Sequence, residues 1–334
     1  MTNAISPPIA AFSLVLPHHL TDGSFTMNSA QESRVDRRIM SKAGRFLIVG
    51  AASIIFSLGI TGAASAASAA SAASAASLAE INTRGTLNVA TEDSYYPFEF
   101  IKDGESEGFH KDVIAELRKY AQFKVNQDIM PWTGLLAGIT SGKYDAAITG
   151  AGVTEERLGA FDFVAPVAPE VSHYIKRADD DRIKSVSDLS GLIVGVQAGG
   201  AQLARLTQLD AKLKASGGSI GKIVQYQSYP EAYADLANHR LDYVVNSIVP
   251  ANMLVKERPQ VFAVGEATSS MGYIAWPVAK GNKELLDYLS GFVNHLRDTG
   301  KLAELQKKWL GQSFDDLPRE PITSAPQFTQ LTAK

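Results

Sequence analysis

The 334-residue chain contains no cysteine. That excludes disulfides, thiolate metal sites, cysteine nucleophiles and a lipidated N-terminal cysteine, and leaves either redox compartment open. Histidine is scarce, six in all, and only His18 and His19 are close in the chain, so a histidine-built metal site is not expected. An excess of one charge is also lacking: 32 Lys and Arg stand against 35 Asp and Glu, net −3, with no run of like charge. The phosphate-neutralising face that nucleic-acid binding needs is therefore missing from the composition. No G-x-S-x-G, no H-E-x-x-H and no close carboxylate pair between apolar residues occurs, and nothing looks catalytic.

What is present begins with an address. Lys42 and Arg45 precede an apolar stretch of 15 residues, 46–60, and Ala64-Ser65-Ala66 offers a small-residue cleavage site. Residues 40–66 thus read as a cleaved signal peptide, too short and too rich in Gly and Ser for a membrane span. Residues 1–39, with Met27 and Met40 as alternative starts, read as a non-native or untranslated extension, and 67–77 as an Ala/Ser spacer. Without 1–66 the net charge is −5. About 250 residues remain, enough for two modest domains.

From Thr86 onward, apolar runs of strand length alternate with helix-period segments. TLNVA (86–90), FEFI (98–101), KVNQDI (124–129), DAAIT (145–149), LIVGVQ (192–197), IVQYQ (223–227) and YVVNS (243–247) read as strands. Helices are predicted over 111–122, where Val113, Ile114, Leu117, Tyr120 and Ala121 share a face, over WTGLLAGITSG (132–142), and over 202–209. A C-terminal stripe from Leu285 to Leu296 is broken at Gly300 and followed by a short helix with Leu302, Leu305 and Trp309. The alternation predicts an α/β fold of parallel sheets covered on both faces. Residues 312–334, with Pro318, Pro321 and Pro326, read as an irregular tail.

Three motifs carry chemistry. Thr149-Gly150-Ala151-Gly152-Val153-Thr154-Glu155-Glu156-Arg157 directly follows a strand. Thr154 suits a helix N-cap, whereas Arg157 in a first turn opposes the helix dipole. It is explained either by an anionic ligand, bound with N–H groups of 150–154 as further donors, or by a surface ion pair. Gly195-Val196-Gln197-Ala198-Gly199-Gly200 lacks nucleotide-fingerprint spacing. N–H groups of Gly199, Gly200 and Ala201 either receive a carboxylate oxygen or merely allow a tight turn. Pro97 makes a rigid loop presenting Tyr95 and Tyr96, Phe98 and Phe100 read as core, and Trp132 either walls a cleft or packs inside.

RGTLNVATEDSYYPFEF (84–100), GFHKDVIAEL (108–117), PWTGLLAGITSGKYDAAITGAGVTEER (131–157), FDFVAPV (161–167), IKSVSDLSGLIVGVQAGG (183–200), SYPEAYADLANHRLDYVVNS (228–247) and DTGKLAELQKKWLG (298–311) follow in that order. Over about 78–311 they resemble the periplasmic amino-acid-binding proteins of bacterial ABC transporters, solute-binding protein family 3. The resemblance implies a two-lobed type II periplasmic-binding fold, each lobe a mostly parallel sheet flanked by helices. One lobe would span 78–172 and 272–311, the other 173–271, with two crossovers as hinge. It implies a monomeric periplasmic receptor without cofactor, metal or chemistry. Such a receptor captures a small carboxylate-bearing solute, an amino acid or an N-substituted derivative, by lobe closure and presents it to an inner-membrane ABC permease.

Carried over by position, Glu92 and Tyr95 line the cleft and Trp132 packs on the ligand. Thr149, Gly150, Gly152 and Thr154 surround an α-amino acid, and Arg157 binds its carboxylate. Gly199, Gly200 and Ala201 meet the same carboxylate from the second lobe, without the Thr many members have there. Ser247 stands where the family usually has an Asp for the α-ammonium, which implies a ligand lacking a free primary α-ammonium unless Glu92 compensates. His110 and Lys111 replace the common Asp and Val and are expected at a surface helix start. The alternative is a periplasmic lyase on the same fold, similar to cyclohexadienyl dehydratase, with Glu92 as its acid.

Overall fold

The computed structural model describes residues 75–333. The expected signal peptide, the extension before it and most of the Ala/Ser spacer lie outside the described residues. Ser77 and Glu80 form a reciprocal capping box, each side chain accepting from the other's backbone N–H, and this starts the helix Leu78–Arg84.

Two five-stranded sheets form the two lobes. The first has the order Lys124–Met130, Thr86–Glu92, Ala146–Ala147, Pro277–Ala279, Phe161–Phe163. The second has the order Ile223–Tyr226, Val194–Gln197, Tyr243–Ser247, Ser172–Arg177, Phe262–Ala267. In each sheet four strands run one way and one is reversed, Pro277–Ala279 in the first and Ser172–Arg177 in the second. The sheets are therefore mixed, and mostly parallel in direction. Both reversed strands adjoin the passage between lobes, where Ala168–Glu170 pairs antiparallel with Gly272–Ile274.

The sequence periodicities explain how the faces are covered. Every residue of Tyr243–Ser247 is buried, as expected of a strand with helices on both sides. Helix Lys283–Asp298 buries Leu285, Leu286, Leu289, Phe292, Val293 and Leu296, each fully buried chain of this kind being worth about 2 kcal/mol. The expected strand at 145–149 shrinks to Ala146–Ala147, and the helix expected over 132–142 to Leu135–Thr140.

The C-terminal tail is not irregular, which corrects the expectation for 312–334. Ile322 exchanges both main-chain hydrogen bonds with Phe163 at the edge of the first sheet. Ala325–Thr332 is a helix whose N-cap Ser324 accepts from the Gln327 N–H. Pro326 falls in its first turn, where the missing N–H has no intrahelical partner anyway, so a proline taken as a breaker starts a helix instead. Phe328 packs into the first lobe's core beside Phe161, Phe163 and Ile322. The Tyr273 hydroxyl donates to the Leu331 carbonyl at 3.2 Å and Thr329 Oγ1 to Glu155 at 3.1 Å. The tail thus docks beside the loop that leads to Arg157. Phe328→Ala should lower stability by about 3 kcal/mol in urea denaturation, the cost of deleting a buried ring, whereas an unchanged midpoint would mean the tail does not dock.

Candidate functional site

Glu92, Gln197 and Ser247 are each the last residue of a strand in the common direction, so their positions converge at the carboxyl ends of the two sheets. That crevice is where open α/β sheets bind ligands. Between the lobes lies a cavity of about 10 Å³, room for one water, lined by Glu92, Tyr95, Trp132, Gly150, Gly152, Arg157, Gln197, Gly200, Ala201 and Gln202. Among these lining residues Arg157 is the one base and Glu92 the one acid.

Arg157 opens a single 3-10 turn, Arg157–Gly159, and Thr154 Oγ1 accepts its backbone N–H at 3.2 Å. The N-cap chemistry expected of Thr154 is present, on a turn instead of a long helix. Arg157 is 8% exposed, and its guanidinium lies over the Trp132 ring, 4.8 Å from the centroid. Its Nη1 donates to the Gly152 carbonyl at 2.6 Å in one lobe and its Nη2 to the Gly199 carbonyl at 2.8 Å in the other. No acidic side chain among the described residues lies within 4.0 Å of it, so the surface ion pair is excluded. Burial pulls its pKa down to about 10, against which the neighbouring Glu156 and Glu92 act in the opposite sense.

Glu92 is 3% exposed, and its Oε1 accepts from Gln197 Nε2 across the cleft at 2.5 Å. Desolvation first, then the nearby Glu99, pushes its pKa up to about 8, although the Gln197 bond works downward. Tyr95 bridges the lobes as well, its hydroxyl donating to Asn246 Oδ1 at 3.1 Å. Two glycines of the cavity wall are required by close approach. A Cβ at Gly150 would stand 2.5 Å from the Tyr95 ring, and one at Gly152 2.7 Å from the Ala201 Cβ of the opposite lobe.

Several expected roles come out differently. Thr149 stands behind the wall, its hydroxyl donating to Glu99 Oε1 at 2.5 Å. The Gly150 N–H goes to the same oxygen at 2.8 Å, the Ala151 N–H to the Thr149 carbonyl and the Val153 N–H to the Tyr273 carbonyl, so these three donors of the loop are spent. The Gly200 N–H closes a turn onto the Gln197 carbonyl, and Gly199 contributes a carbonyl in place of a donor. Ser247 is fully buried with its hydroxyl unpartnered and does not line the cavity. His110 is not at the surface: it is fully buried, its Nδ1 bonded to Glu99 and its Nε2 accepting from Trp276 Nε1 at 3.1 Å. Lys111 beside it is half-buried. Glu99 therefore gathers His110, Thr149 and Gly150 beneath the site, holding the loop that leads to Arg157.

Gln197, Gln202, Glu99 and Asn246 were not singled out by sequence reasoning. Glu99 had a signal: it is the lone acid between Phe98 and Phe100 in a strand.

The chain belongs to the bacterial extracellular solute-binding proteins, family 3, whose model matches residues 87–312. It is similar to the L-cystine-binding protein TcyJ of Escherichia coli (strain K12), 28% identical over 70% of this chain and 85% of the relative. It is also similar to ABC transporter arginine-binding protein 1 of the same strain, 27% identical over 68% of this chain and 91% of the relative. Among solved structures it resembles an ancestral arginine-binding protein bound to arginine, with TM-score 0.61, 31% identity, and coverage of 68% of this chain and 98% of that one. The ancestral amino acid-binding protein AncCDT-1, a precursor of cyclohexadienyl dehydratase, has TM-score 0.61 at 28% identity, covering 70% and 98%.

The position of Glu92 generates a pH signature. Its pKa rises from an ordinary 4.5 to about 8, so over that window the folded protein holds a proton the unfolded chain has released. The associated stability is complete below pH 4.5 and is lost as pH rises through 8. Glu92→Gln should remove that decline in denaturation midpoints measured across the window; the same slope in both proteins would show that Glu92 does not titrate this way.

Proposed function

We propose that this protein is a periplasmic receptor that closes its two lobes over a small carboxylate-bearing solute, an amino acid or an N-substituted amino-acid derivative, and presents it as a monomer to an inner-membrane ABC permease. The observation that carries this reading is the buried guanidinium of Arg157. A charge out of water costs several kcal/mol unless paired, and two carbonyl dipoles do not supply an anion. A ligand carboxylate entering between Gly152 and Gly199 supplies it and exploits both lobes at once. Glu92 faces the same small cavity as the group for a ligand nitrogen, its ionised form being favoured by a cation beside it.

A lyase reading finds its general acid only in Glu92, a buried carboxyl with a raised pKa, and has AncCDT-1 as a structural relative. The cavity's other ionisable lining groups are Arg157 and the Tyr95 phenol, which is itself pushed well above its ordinary value by burial, so a base to complete a dehydration is missing from the wall. Binding is the reading the site supports better.

Purified protein screened by thermal shift against amino acids, opines and small carboxylates should show a stabilised hit. For that hit, Arg157→Ala should keep the far-UV spectrum and weaken binding at least about tenfold, since truncating one side of a buried charge pair costs about 2 to 5 kcal/mol. Unchanged affinity in calorimetry would sink the assignment.

A further inference from the structure

The cavity at Arg157 is not the only space between the lobes. Beside it lies a chamber of about 360 Å³, walled by Tyr95 and Tyr96 of one lobe and by Tyr229, Tyr233, Asn246 and Leu254 of the other. That volume is in the range of small-molecule pockets. Tyr95 lines both spaces. Its ring stacks on Tyr229 at 5.8 Å between centroids, and Tyr229 on Tyr233 at 5.8 Å, so a run of stacked aromatic rings borders the chamber. Asn246 joins the two walls, accepting from the Tyr95 hydroxyl and donating Nδ2 to the Tyr233 hydroxyl at 2.7 Å.

We propose that this chamber is a second subsite, which takes an aromatic arm carried on the nitrogen of the solute whose carboxylate Arg157 holds. The inference rests on the function proposed above and adds the class of ligand. A solute anchored at Arg157 with its nitrogen beside Glu92 reaches the chamber past the Tyr95 ring. At that point the chamber offers tyrosine rings and the Asn246 amide, with the charged side chains of Asp93, Glu257 and Arg258 also in its lining. Offset or edge contacts with stacked tyrosines hold a flat ring better than a branched alkyl chain.

The test compares N-benzylglycine with sarcosine, which share the carboxylate and a secondary amine and differ in the ring, and L-phenylalanine with L-alanine, which place the ring on carbon. Calorimetry on the wild-type protein should show N-benzylglycine binding at least about tenfold more tightly than sarcosine, the gain expected from burying a phenyl ring. Leu254→Trp, and Ile101→Trp on the exposed rim in case the first variant does not fold, should abolish that advantage and leave sarcosine unaffected. Equal affinities for sarcosine and N-benzylglycine, with both lost in Arg157→Ala, would overturn the chamber and keep the cleft. A gain for L-phenylalanine alone would overturn attachment through nitrogen. Failure of all four probes to bind would overturn both the chamber and the reading beneath it.

Discussion

Arg157 sets the terms for the rest of the molecule. A guanidinium brought out of water between two lobes must be supported from every side, and the surrounding structure reads as that support. Trp132 offers a ring face, Thr154 fixes the turn that starts at Arg157, and the Gly152 and Gly199 carbonyls accept its forks from opposite lobes. Beneath them Glu99, held by His110, anchors the Thr149–Gly150 end of the same loop. The remaining deficit is an anion, and the cavity wall has none except Glu92, which burial pushes toward its neutral form. Acid and base in one small space, both destabilised by desolvation, match a solute carrying the opposite charges.

A second arginine shows what a completed site looks like. Arg205 of the second lobe is buried against Glu170 in the crossover strand, and its Nη2 also donates to the Val153 carbonyl at 3.2 Å. Glu170 further accepts from Gln202 and Ser172. Among the described residues, charge there is matched by an acidic side chain, whereas at Arg157 it is not. The contrast separates a structural ion pair from the unmatched charge on which the proposed function rests, although both are buried arginines near the same cleft.

Much of this was legible in the sequence, for reasons that differ by element. Helices such as Phe109–Tyr120 and Lys283–Asp298 declare themselves through long apolar stripes, and strands such as Tyr243–Ser247 through continuous apolar runs. Arg157 was visible because a cation in a first turn is anomalous without an anion. The failures are long-range. His110 carries a polar label that suits a surface, and its burial depends on Glu99 and Trp276, eleven and 166 residues away, which no local pattern encodes. The tail looked irregular because prolines are punctuation in a local reading, while the edge strand that receives Ile322 lies far back in the chain. Donors of the 150–154 loop looked free because the acceptors Glu99 and Tyr273 are supplied by the fold.

The proposed function depends on a carboxylate meeting the Arg157 guanidinium. The most direct measurement takes the tightest solute found for the wild-type protein and compares it by calorimetry with its own carboxamide, identical in shape and lacking the anion. A loss of about two orders of magnitude or more is the predicted result, because the buried charge is then left with dipoles alone. Equal affinity for acid and amide would contradict a ligand carboxylate at Arg157.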